Sequence, residues 1–118
     1  MEMCPNSNMF TNTYELPDAG DASEPGTGEM AYPLRDYMEE GLEVCLATDN
    51  RYIHRVGTQT LTSEYMTAAL LSGGLTRWEI LQLVKAGFKN AFLPKNEVEA
   101  LLSAMEERVY RIISRGWF

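Results

Sequence analysis

The chain has 118 residues, 45% of them hydrophobic, 10% aromatic and 23% charged, which allows one domain of ordinary globular composition. Ten basic against seventeen acidic side chains leave a net charge of −7, which repels phosphate backbones and excludes nucleic acid as a generic partner, though not a small nucleotide or nucleoside. No apolar run approaches the ~18 residues of a membrane span. The two cysteines, Cys4 and Cys45, sit in apolar runs outside any metal-type spacing, so a reducing compartment, the cytoplasm, is expected.

In chain order, a short apolar strand is predicted over 1–4, stopped by Pro5, with a polar turn through Asn6-Ser7-Asn8. The strand-like start predicts a chain that enters in the middle of a fold. Segment 12–31 holds Pro17-Asp18-Ala19-Gly20 and Glu24-Pro25-Gly26-Thr27-Gly28 with several carboxylates; its composition predicts a flexible acidic loop. Pro33 suits the first turn of a helix with Leu34, Tyr37 and Met38 on one face, and Gly41 supplies its stop. Leu42 to Ala47 then predicts a buried strand, parallel to the first because a helix separates them.

Three further helices follow. The first is predicted over 62–72, with Tyr65, Met66, Ala69 and Leu70 on one face and Gly73-Gly74 at its end. The second opens on Thr76-Arg77-Trp78-Glu79, which fits a capping box, and carries Ile80, Leu81, Val84, Phe88 and Ala91 at helical spacing before Pro94. The terminal helix is predicted over 96–115, opening at Asn96 with a Glu three residues later. Its stripe is Val98, Leu101, Leu102, Met105, Val109, Ile112 and Ile113. These stripes predict packing faces, and Glu39-Glu40 and Glu106-Glu107 predict solvated ones. Two strands buried on both sides cannot cover themselves, so the chain is expected to be part of a larger α/β architecture.

Chemistry concentrates at Thr48-Asp49-Asn50. Polar residues just past the carboxyl end of a parallel strand sit where ligands bind, and Asp49 there can ligate a metal or act as a base while Asn50 donates and accepts hydrogen bonds. The same residues also suit a plain turn, since Asp and Asn bond their own backbone and tolerate left-handed geometry.

The run Glu2-Met3-Cys4-Pro5-Asn6-Ser7-Asn8, then Tyr32-Pro33-Leu34, and Gly41 before a strand ending Ala47-Thr48-Asp49-Asn50, resembles the adenosine deaminase family. Leu61-Thr62-Ser63-Glu64-Tyr65, Gly74-Leu75-Thr76 and Gly87-Phe88-Lys89-Asn90-Ala91-Phe92-Leu93 continue the likeness in order over nearly the whole chain. The resemblance implies a (β/α)8 barrel of the metal-dependent amidohydrolase type. Residues 1–118 would supply its C-terminal part, the last two strands and the closing helices. It further implies that Asp49 is a zinc ligand and catalytic carboxylate, and that Asn50 contacts the purine ring. Ser7 and Asn8 would line the rim of the active site. The implied substrate is a purine nucleoside that loses its amino group as ammonia.

The family's His-x-His pair, third zinc histidine, proton-donating glutamate and water-orienting histidine have no counterpart among these residues. One carboxylate does not make a catalytic zinc site, which takes about three protein ligands and water. The isolated chain is therefore expected to be inactive without the N-terminal barrel strands, its zinc binding weak and its aggregation pronounced. Asn50 replaces a second Asp found in many relatives, and Tyr32 replaces a His. A related amidohydrolase acting on another aminated base or nucleotide, or a non-catalytic interaction module derived from such a barrel, is the alternative. His54, beside Arg51, Tyr52 and Arg55, is expected on the rim rather than on metal. Cys4 and Cys45 are expected to pack, and Trp117 and Phe118 to pack on the barrel or serve an interface.

Overall fold

The structure, a computed structural model, describes residues 1–10, 32–49 and 60–116. The acidic loop predicted over 12–31, Asn50, His54 and the aromatics Trp117 and Phe118 lie outside the described residues. The described elements are, in order, β1 (Glu2–Met3), α1 (Pro5–Phe10), α2 (Leu34–Glu39), β2 (Cys45–Leu46), α3 (Leu61–Leu71), α4 (Arg77–Lys89) and α5 (Lys95–Ser114). The described residues are helix-rich, and among them two short strands show no barrel.

The two strands are parallel, with Glu2 opposite Cys45 and Met3 opposite Leu46. The ladder extends one bond past the second pair, where the Ala47 N–H donates to the Met3 carbonyl at 2.9 Å. A parallel pair requires a crossover connection, and α2 falls within it, as the sequence predicts. Both strands therefore end at the same edge. There the expected turn at Asn6-Ser7-Asn8 is replaced by α1. Pro5 takes its first position, where a missing N–H and a preset φ cost nothing, and the Asn8 N–H closes the first turn on the Cys4 carbonyl at 2.9 Å.

α2 is stopped at Gly41, whose φ of 82° is open to glycine without strain. α3 and α4 both open on capping boxes: Thr60 with Ser63, and Thr76 with Glu79. Each box satisfies two backbone donors that the helix leaves orphaned. α5 opens one residue earlier than Asn96 suggests, with Pro94 as its N-cap and no side-chain capping bond. Proline fits that position through its fixed φ and needs no hydroxyl.

The core gathers Met3, Tyr32, Leu34, Val44, Leu46, Ala68 and Leu83. Leu34 and Leu83 are almost wholly enclosed; burying each removes enough apolar surface to contribute roughly 1.5–3 kcal/mol. The faces chosen by α3 and α4 differ from those the periodicity predicts. α3 buries Glu64 and Ala68, while Met66 and Leu70 stand exposed. It carries apolar side chains nearly all the way round, so spacing alone selects no face. α4 buries Leu83 and Ala86 rather than the predicted stripe, whose members are half-buried. That helix lies between β2 and α5 and has two sides to cover.

α5 packs on α4 without burying any residue completely, and Leu101, Ile112 and Ile113 of its stripe remain exposed. Glu39, Glu40, Glu106 and Glu107 are solvated, as expected. Arg35 on α2 joins three elements. Its Nε donates to Glu79 Oε1 at 3.1 Å and its Nη1 to the Ser72 carbonyl at 2.9 Å. The guanidinium hydrogen bond is the main cause that holds the Glu79 carboxyl below its ordinary value.

Burial, with a smaller contribution from Cys45, pushes the half-buried Tyr65 phenol from 10.0 up to about 12. The folded state therefore keeps this proton longer than the unfolded chain does, and the associated stability is complete below pH 10. It is lost as pH rises toward 12. Absorbance titration of the folded protein should show a tyrosine step near pH 12 that Tyr65→Phe removes. A titration curve that Tyr65→Phe leaves unchanged in this range would contradict this.

Candidate active site

The parallel pairing brings the carboxyl end of β1, continued by α1, beside the carboxyl end of β2, continued by Thr48 and Asp49. Asp49 has a φ of 54° and is the only non-glycine residue at positive φ among the described residues. The left-handed region is uncommon for residues with a Cβ, and Asp and Asn occupy it most readily. The turn reading and the site reading of this junction are thus compatible: the backbone turns sharply and presents an exposed carboxylate.

Ser7, buried in α1, donates its hydroxyl to Asp49 Oδ2 at 2.7 Å. One residue on, Asn8 Oδ1 accepts from the buried Tyr32 hydroxyl at 3.3 Å. The structure thus brings Asp49 together with Ser7, one of the two predicted rim residues, and ties the other, Asn8, to Tyr32. Cys4, at the start of the same edge, has its thiol raised above 9.0, first by burial and then by the Asp49 and Glu64 carboxylates. It stays protonated at neutral pH, which suits packing and not nucleophilic attack. Cys45 is raised too, chiefly by burial.

Several residues that hold this edge entered the sequence reading only as part of a turn or of the family likeness, with no link to Asp49. Glu64 of α3 is fully buried, and its Oε2 accepts from the Asn6 backbone N–H at 2.9 Å. The Asn6 side chain donates to Ser63 Oγ at 3.3 Å and accepts from Thr67 Oγ1 at 2.7 Å. Beyond that likeness, the spacing of Glu64 four residues before Ala68 puts both on one helix face.

Among the described residues no group of three or more His, Cys, Asp or Glu side chains is placed to hold a metal ion. Among the described residues the exposed carboxylate at this edge is that of Asp49, which fits one position of a zinc shell.

Residues 1–108 match the family described as adenosine deaminase. The chain belongs to the adenosine deaminase family. It is 34% identical over 107 residues to the adenosine deaminase of Enterococcus faecalis (strain ATCC 700802 / V583), covering 91% of this chain and 27% of that protein. With the adenosine deaminase of Shewanella loihica (strain ATCC BAA-1088 / PV-4) it shares 30% identity over 104 residues, 88% of this chain and 27% of that protein. This deaminase-family chain therefore spans about a quarter of the length of the curated relatives it matches. The match reaches from β1 into α5 and includes both strand ends and the Ser7–Asp49 contact.

Proposed function

We propose that residues 1–118 work as the C-terminal part of a zinc-dependent purine nucleoside deaminase, releasing the amino group of an adenosine-type substrate as ammonia. The observation that carries this reading is the Ser7–Asp49 bond at the shared carboxyl edge of two parallel strands, in a chain that matches the deaminase family over residues 1–108. Ligands of α/β folds bind at that edge. The remainder of a (β/α)8 barrel supplies the other ligands, so the isolated 118 residues are inactive.

In this reading Asp49 supplies one carboxylate ligand, and a bound zinc would make an activated water available near neutral pH. Ser7 holds Oδ2 of Asp49 in place through its hydroxyl, and a carboxylate so oriented can ligate a metal or accept a proton. The Asn50 amide donates to a purine ring nitrogen without having to be protonated first. Asn8, held by Tyr32, lies at the rim. Protonated Cys4 takes no covalent part.

The test is expression within the complete reading frame, followed by zinc analysis and an ammonia assay with adenosine and other aminated purines. One zinc per chain with ammonia released from adenosine is the expected result. Zinc bound with no release from any aminated base, nucleoside or nucleotide would overturn the reading and favour an interaction module. Release from another aminated compound alone would move the substrate to that class.

A further inference from the structure

We infer that Glu64 is a positioning residue for Asp49, acting from α3 through α1. α1 has six residues, too few to be stable as an isolated helix. Its orientation therefore depends on what grips it. The grip falls on Asn6, whose backbone N–H goes to Glu64 Oε2 at 2.9 Å and whose side chain is bracketed by Ser63 and Thr67. The next residue is Ser7, and its hydroxyl meets Asp49 Oδ2 at 2.7 Å. Turning or shifting the first turn of α1 would move Ser7 away from the carboxylate it holds.

Glu64 is an expensive residue to place where it is. It is fully buried, and its Oε1 has no hydrogen-bond partner among the described residues. Burying a carboxylate so incompletely satisfied carries a large desolvation penalty. A residue serving only to pack α3 would be apolar, like its neighbour one turn on, Ala68. What the carboxylate provides that an apolar side chain cannot is an acceptor for a backbone N–H 58 residues away in sequence.

The role of Asp49 as a ligand rests on the proposed deaminase reading; the hold of Glu64 on Ser7 and Asp49 does not. The test compares Glu64→Ala, which removes the acceptor, with Glu64→Gln, which keeps a carbonyl oxygen at nearly the same volume. Both are made in the complete reading frame. In Glu64→Ala, backbone amides from Asn6 to Asn8 should exchange faster and a crystal structure should show the Ser7–Asp49 bond broken. Zinc should escape to a chelator about 10-fold faster or more, the scale typical for loss of an outer partner of a metal ligand. kcat should fall by a similar factor, about 10-fold, with KM nearly constant, because orientation and not substrate binding is lost. Glu64→Gln should restore most of each.

An unchanged exchange pattern and an intact Ser7–Asp49 bond in Glu64→Ala would overturn the inference, as would a Gln variant impaired as badly as Ala. Should the Ala variant not fold, Thr67→Val loosens the same grip by one bond and should reproduce the faster exchange; no change there would also overturn it. An unaltered protein without zinc or deaminase activity would sink the deaminase reading, while exchange and the crystal structure still decide the role of Glu64.

Discussion

Asp49→Asn, made in the complete reading frame, is expected to lower kcat/KM for ammonia release by about 10²–10⁴-fold, the range for loss of a positioned acid–base group, with the fold unchanged. Asparagine keeps the volume, still accepts the Ser7 hydroxyl through its amide oxygen, and tolerates the φ of 54° at this position. What it loses is the negative charge and the basicity that the proposed role as ligand and proton acceptor requires. Asp49→Ala is a poorer probe, because the left-handed backbone costs a β-carbon residue roughly 1–2 kcal/mol in addition. Thermal unfolding separates the two: the Asn variant should melt with the unaltered protein and the Ala variant below it. Zinc content should fall in both. A fully active Asn variant would remove Asp49 from the site.

The largest effect on stability is expected at Leu83. It is 1% exposed and belongs to the core cluster with Ala68, Val44 and Leu46. Leu83→Ala leaves a cavity as well as losing transfer free energy, together about 2–5 kcal/mol. Leu83→Met nearly conserves volume and should lose less than about 1.5 kcal/mol. Ile80, a member of the predicted stripe, is only half-buried, so Ile80→Ala should fall well below Leu83→Ala. Urea denaturation reads all three as shifts of the midpoint at constant slope. Equal losses at Ile80 and Leu83 would mean that the periodic stripe, and not Leu83, carries the packing.

Much of the fold is legible because it is governed by neighbours in the chain. The helices at α2, α3, α4 and α5 are announced by Pro33, Gly41, Gly73-Gly74, the Thr76–Glu79 box and Pro94, each acting within a turn. The parallel relation of β1 and β2 follows from the helix between them. The Asp49 junction is legible for the same reason, as a polar cluster directly after an apolar strand. α1 is the local failure: three residues typical of turns became helical because α3 holds Asn6 from 57 to 61 residues away. The face of α3 is the other, since an apolar surface on nearly every side leaves the choice to its neighbours.

The sequence by itself determined the family, the order of elements and the position of Asp49 at a strand end, because these depend on residue identity and short-range periodicity. Only the tertiary structure decided that Ser7 reaches Asp49, that Glu64 is buried beneath α1, and that Leu83 rather than the periodic stripe anchors α4. Those outcomes depend on hydrogen bonds and burial between segments 42 to 61 residues apart, and no local pattern encodes which of two chemically suitable faces will meet a distant partner.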